Sequence, residues 1–302
     1  VSMYTFNTAR IVAPLLVLGL VFAHRKYLLT SARIQFLSSL VLGALIFLPL
    51  FLFLLTPQAK LRFAEVNIFS DSAVVERANQ QIQNDQNAWW SNLLHNRRVG
   101  YAIEYVKHYF DNLSPDFLFI RGDGNPKFSI REVGQMYIFE IPFFIAGILF
   151  LFRRREGNWW IIPYWLIIGI IPAATARETP HALRIETTLP TFQILTAYGL
   201  CYVISNFKFQ ISNFKLKPFF IGLLIFAILF NFSYFLHNYF RHYPQEFSSE
   251  WQYGYKETVE FTSANESKFD NIIFTEELGR PYVYVLFYKQ YDPVAFRQEA
   301  EV

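Results

Sequence analysis

Long apolar runs alternate along this chain with short basic turns and two extended polar segments. From Ile34 to Leu55 no charged residue occurs. At about 1.5 Å per helical residue that run matches a hydrocarbon core of roughly 30 Å and predicts a transmembrane helix, kinked at Pro49. Pro218 to Leu236, rich in Phe, Ile and Leu, predicts another, with its proline at the start, where a missing amide donor matters least. Val133 to Phe152, Trp159 to Ala176 and Thr187 to Ser205 predict three more, packed within a bundle because Glu140, Pro163, Pro172 and Pro190 interrupt them. The run from Ile11 to Ala23 reaches membrane length only if its helix extends back through Arg10.

The polar segments carry their own periodicity. Val99, Ile103, Val106 and Phe110 recur at spacings of four, three and four, placing them on one face of a helix that Ser114-Pro115 ends. Two readings of this helix stand. It lies along a membrane surface with Trp89, Trp90, Tyr101 and Tyr105 near the headgroups, or it packs on another outer helix. After Glu250 the pattern predicts a small mixed unit, with a helix through Tyr255 to Phe261, a strand at Asn271 to Thr275 and a second helix after Pro281.

The fold class expected is therefore an all-α integral membrane bundle of about six transmembrane helices, with an extracytoplasmic helical loop and a small α/β C-terminal outer segment. Its divisions are 1–55 for the first two spans, 56–132 for the helical loop, 133–236 for four spans with short loops, and 237–302 for the outer tail. No Met opens the chain and nothing resembling a cap closes it, so the expectation is a piece of a longer protein, truncated after Val302 as well.

Cations in short loops resist translocation. Arg25, Lys26 and Arg33, then Arg153, Arg154 and Arg155, then Lys208, Lys215 and Lys217 follow alternate spans and mark a cytoplasmic side. The N-terminus, the loop from Thr56 to Glu132, the turn from Arg177 to Glu186 and the tail after His237 then lie outside a plasma membrane. Lys208 and Lys215 belong to a tandem repeat, ISNFKFQ then ISNFKLK (Ile204 to Lys217), which reads as a solvated basic hairpin.

Composition sharpens this picture. Of 302 residues, 53% are hydrophobic, with a net charge of only +3 scattered between apolar runs, which favours a membrane class and argues against nucleic-acid binding. The lone Cys201 excludes an internal disulfide, and the histidines His24, His95, His108, His237 and His242 lack metal-ligand spacing. No zincin motif or nucleophile elbow occurs, so no metal site or cofactor is assigned.

Chemistry concentrates in RETPHALRIETTLP (Arg177 to Pro190), where two Arg, one His and two Glu crowd a turn between spans. Arg177, His181 and Arg184 suit a buried anion, since guanidinium presents forked donors to phosphate. The alternative is local pairing of Arg177 with Glu178 or Arg184 with Glu186, which leaves no free donors. A second candidate is SPDFLFIRGDGNPKF (Ser114 to Phe128), a substrate lid or a solvated turn, with Arg121, Asp123 and Lys127 around Gly122 and Gly124. Glu140, inside its apolar run, needs outer water or a basic partner.

Several stretches together resemble membrane glycosyltransferases of the GT-C type, in particular bacterial relatives of dolichyl-phosphate-mannose protein mannosyltransferases. They are NTARIVAPLLVLGLVFAHRK (Asn7 to Lys26), SPDFLFIRGDGNP (Ser114 to Pro126), GQMYIFEIPFFIAGI (Gly134 to Ile148), PHALRIETTLP (Pro180 to Pro190) and YPQEFSSEWQYGYKE (Tyr243 to Glu257). The resemblance implies transfer of a sugar from a polyprenyl-phosphate donor to an extracytoplasmic hydroxyl of a protein, lipid or glycan acceptor. It places the catalytic acid on an outer loop upstream of this chain, so the chain alone is expected to be inactive, and Arg177, His181, Arg184, Arg121, Asp123 and Lys127 are the substrate-binding candidates. A secondary transporter or a non-catalytic membrane interaction protein is the alternative; a transporter usually shows repeated halves, and no such internal symmetry is visible.

Overall fold

The computed structural model describes residues 2–57, 59, 67–206 and 216–300. Residues 207–215 of the repeat, with Lys208 and Lys215, lie outside the described residues. Helices α1 (Ala9–Leu29) and α2 (Arg33–Leu54) form a hairpin, and α1 extends through Arg10 and onward through His24 to Leu29. Polar helices α3 (Ser72–Asn84) and α4 (Arg97–Asp111) follow, each begun by a side-chain cap: Asp71 accepts from the Ala73 amide, and Asn96 accepts from Arg98 and Val99. Next come the apolar helices α5 (Ile141–Arg154), α6 (Ile161–Ala174), α7 (Thr191–Asn206) and α8 (Leu216–His237). The tail carries α9 (Tyr255–Asn265), α10 (Pro281–Tyr288) and α11 (Pro293–Ala300).

Among the described residues three helices are long and apolar enough to cross a membrane, Ala9–Leu29, Arg33–Leu54 and Pro218–Glu246. That corrects the expected six. Helices α5 and α6 have 14 residues each and α7 has 16, or about 21–24 Å at the α-helical rise, short of a core of roughly 30 Å. The missing turns have local causes. Residues before Ile141 leave the helix because the Gln135 and Met136 amides are taken by the carbonyls of Phe117 and Leu118, while Tyr137 is extended. Before Pro190, Glu186–Thr188 form a 3₁₀ turn whose Thr187 hydroxyl donates to the Gly169 carbonyl.

The expected strand at Asn271 to Thr275 is also corrected. No strand occurs among the described residues; this stretch is irregular, and Ile273 is 90% exposed. A strand needs a partner for its amides, and no second β run lies near it in sequence. The C-terminal segment is therefore helical rather than α/β. One isolated antiparallel bridge joins Asn67 and Ala176, pinning the entry to α3 onto the end of α6.

Two compact units divide within α8, Val1–Leu224 and Ile225–Val302. In the first, a core of Phe117, Leu118, Phe119, Met136, Ile170, Ala182, Ile185 and Phe192 is buried, with Phe144 packed between Phe119 and Phe192. This core assembles from α6, the turn 180–188, α7 and the 114–120 segment, and it supports the site below. Gly134 permits the close approach: a Cβ there would stand 2.5 Å from the Phe119 backbone. Helices α5 and α7 cross at Gly147 and Gly199, where a Cβ would overlap the Leu195 and Phe143 carbonyls respectively. In the second unit α9 and α10 pair through Tyr255 stacked on Tyr284 at 4.4 Å, over a buried Val259.

Candidate functional site

Two stretches separated in sequence meet at Asp123 and His181, both almost fully buried. Asp123 Oδ2 accepts the Ala182 amide at 2.7 Å and Oδ1 accepts the Asn125 amide at 2.8 Å, so one carboxylate folds its own loop and holds the 180–188 turn. The His181 ring lies 4.6 Å from the Phe128 ring, and its Nδ1 stands 3.7 Å from Asp123 Oδ2, too far for a hydrogen bond. Among the described residues that nitrogen has no hydrogen-bond partner. Burial, reinforced by the positive charge of Arg184, pushes the His181 pKa below its ordinary value, against the opposing pull of Asp123 and Glu178.

Behind this pair the turn is bolted to α4. Asn112, wholly buried, donates Nδ2 to the His108 carbonyl at 2.8 Å and accepts the His181 amide on Oδ1 at 3.1 Å. His108 Nδ1 lies 2.8 Å from the Ala176 carbonyl; because a carbonyl only accepts, that nitrogen carries the proton and Nε2 faces Glu104 at 3.5 Å. Arg177 donates Nε to the Asn67 carbonyl at 3.1 Å and an Nη to the Ser70 carbonyl at 3.0 Å. Its guanidinium braces the turn against the entry to α3.

A cleft of about 400 Å³ opens beside the pair. Leu118, Met136, Ile185, Leu189 and Phe192 contribute apolar surface, and Lys127, Gln135, Glu186 and Gln193 contribute polar groups. Its walls thus come from two neighbouring stretches, 118–128 and 135–136, and from the distant stretch 182–193. Of the sequence candidates, Lys127 lines the cleft, Asp123 and His181 build the frame beneath its walls, and Arg184 is half-buried beside His181. Arg121 is exposed and pairs with Asp116 at 3.5 Å, and neither it nor Arg177 lines the cleft.

No family model, curated protein or solved structure matches this chain.

Among the described residues no group of three or more His, Cys, Asp or Glu converges as a metal site. Glu140, half-buried at the start of α5, is pushed above the ordinary carboxylate range by burial, opposed by a hydrogen bond to the Tyr137 backbone. Sequence reasoning passed over Gln135, Gln193 and Asn112. The two glutamines left a trace, as isolated amides inside the apolar runs GQMYIF and TFQIL; Asn112 left none, because it reads as an ordinary polar residue at a helix end.

Proposed function

We propose that the chain forms the donor-binding part of a membrane glycosyltransferase, which moves a sugar from a polyprenyl-phosphate donor to an acceptor hydroxyl on the extracytoplasmic side of the plasma membrane. The cleft carries this reading. A lipid-linked sugar phosphate is an amphiphile, and the cleft offers an apolar wall together with a cation, two amides and a carboxylate. Lys127 supplies a compact positive charge for a phosphate, while Gln135 and Gln193 present both donors and acceptors for sugar hydroxyls. Glu186 accepts from a further hydroxyl, and Leu189 and Phe192 take the first isoprene unit. The cleft lining overlaps three of the stretches that carry the glycosyltransferase resemblance, through Leu118 in Ser114 to Pro126, Gln135 and Met136 in Gly134 to Ile148, and Ala182 to Leu189 in Pro180 to Pro190, while Lys127, Phe128, Phe192 and Gln193 lie just outside them.

Stabilising the departing phosphate is the contribution this cleft makes to such a reaction, through charge placed where negative charge accumulates as the glycosidic bond breaks. The base that takes the acceptor proton is not assigned to a residue of this chain. The test is transfer of radiolabelled hexose from polyprenyl-phosphate hexose, using membranes that contain the full reading frame. Lys127→Ala is expected to raise KM for the donor about tenfold, the factor that about 1.4 kcal/mol of lost binding produces, and Lys127→Arg to restore most of it. Equal KM in Lys127→Ala and the parent, or no transfer by the parent from any polyprenyl-phosphate hexose, overturns the reading.

A further inference from the structure

Helix α4 is built inside out for a helix in water. In its middle and last turns most polar side chains face protein: Tyr101 donates to the Asp71 carbonyl at 3.1 Å, His108 Nδ1 to Ala176, and Glu104 lies beside His108 and Arg77. Lys107 is the exception, 63% exposed on the outer side, with its ammonium 3.9 Å from Glu104, within reach of a phosphate headgroup by snorkelling. Its apolar stripe faces out, with Ile103 63%, Val106 52% and Phe110 63% exposed. The turn before it adds Trp89 at 82% and Leu93 at 67% exposed. Helix α4 does pack on a second outer helix, α3, through Tyr101, Glu104 and the close approach of Gly100 to Val74, and Val99 is half-buried; Ile103, Val106 and Phe110 are left uncovered among the described residues.

The depth of α4 says what covers the stripe. Tyr164 of α6 donates its hydroxyl to the Leu15 carbonyl of α1, at the level where α1 presents its own apolar residues. Three residues further along α6, about 4.5 Å, the Ile167 carbonyl accepts the Tyr109 hydroxyl of α4 at 2.8 Å. The C-terminal half of α4 thus lies against the flank of an apolar helix, level with a helix of membrane-spanning length. At the other end Arg97 and Arg98 begin α4 and Trp89 and Trp90 precede it by a few residues, all four exposed, residue types suited to phosphate headgroups and the interface.

We propose that the face formed by Ile103, Val106 and Phe110, continued by Trp89 and Leu93, is immersed in the interfacial zone of the bilayer, with lipid as its occupant. The inference is independent of the sugar-transfer reading. It is tested with the full reading frame on a cysteine-free background, Cys201→Ser included, carrying Ile103→Cys or Phe110→Cys labelled with an environment-sensitive fluorophore. Gln80→Cys, on exposed α3, serves as the water reference. In phosphatidylcholine nanodiscs containing a shallow doxyl lipid, labels at both α4 positions are expected to be blue-shifted relative to position 80 and quenched by the doxyl lipid, with weak quenching by iodide. Iodide quenching equal to that at position 80 would show a water-facing helix; shielding from both quenchers would show a protein covering. Either outcome overturns the proposal.

Discussion

Asp123 Oδ2 accepts the Ala182 backbone amide at 2.7 Å, joining two loops that stand 59 residues apart in the chain and both contribute to one cleft. The carboxylate also accepts the Asn125 amide, so its removal leaves a buried donor at Ala182 and a half-buried one at Asn125 unpaired. Asp123→Ala is expected to destabilise the first unit by about 2–4 kcal/mol, since a hydrogen bond to a charged group is worth roughly 1.5–3 kcal/mol and a buried orphan donor costs extra. Asp123→Asn, which keeps an acceptor oxygen, should lose less. Thermal midpoints of the detergent-solubilised variants check both, and a midpoint unchanged in Asp123→Ala would show that the contact contributes nothing.

His181 gives a pH dependence with a definite sign. Its folded pKa lies below the ordinary value of 6.5 because burial and Arg184 disfavour the charged ring. The unfolded chain therefore binds the proton more readily. Stability from this residue is complete above pH 6.5 and is lost as pH falls from there through the depressed pKa. The difference in thermal midpoint between the parent and His181→Asn should accordingly shrink as pH is lowered below 6.5, and a difference that grows on acidification contradicts the assignment.

The crossing of α5 and α7 leaves no room for a side chain at Gly147, whose added Cβ would overlap the Leu195 carbonyl. Gly147→Ala is expected to cost about 1–3 kcal/mol through forced separation of the helices, while Gly43→Ala on α2, where nothing lies within 4 Å of the new carbon, should be close to neutral. Resistance to unfolding in sodium dodecyl sulfate compares the two directly.

Helices α2 and α8 were legible because a long span with almost no charge leaves the backbone one way to satisfy its amides in lipid; α1 was less so, because only Ile11 to Ala23 is free of charge and membrane length is reached through Arg10, His24, Arg25 and Lys26. The shorter apolar helices were overestimated for a specific reason. Hydropathy sees Val133, Met136 and Tyr137 as apolar, but not that Gln135 and Met136 hydrogen-bond to Phe117 and Leu118 and so cannot continue α5. Ile272 and Ile273 suggested a strand by their β-branched side chains, yet strand formation depends on a partner that local sequence cannot supply. Within the site, the charged turn and the Gly122 to Lys127 loop stood out from sequence, whereas their meeting through Asp123 and Ala182 rests on a backbone amide, which every residue but proline possesses and no pattern marks.

The central claim, that the cleft receives a polyprenyl-phosphate sugar, is tested most directly by photo-crosslinking. A donor with a diazirine in its first isoprene unit, added to membranes containing the full reading frame, is predicted to label the peptide containing Leu189 and Phe192, with excess unlabelled donor abolishing that label. Labelling of this peptide that excess donor does not diminish, or competable labelling confined to other parts of the protein, would contradict the account.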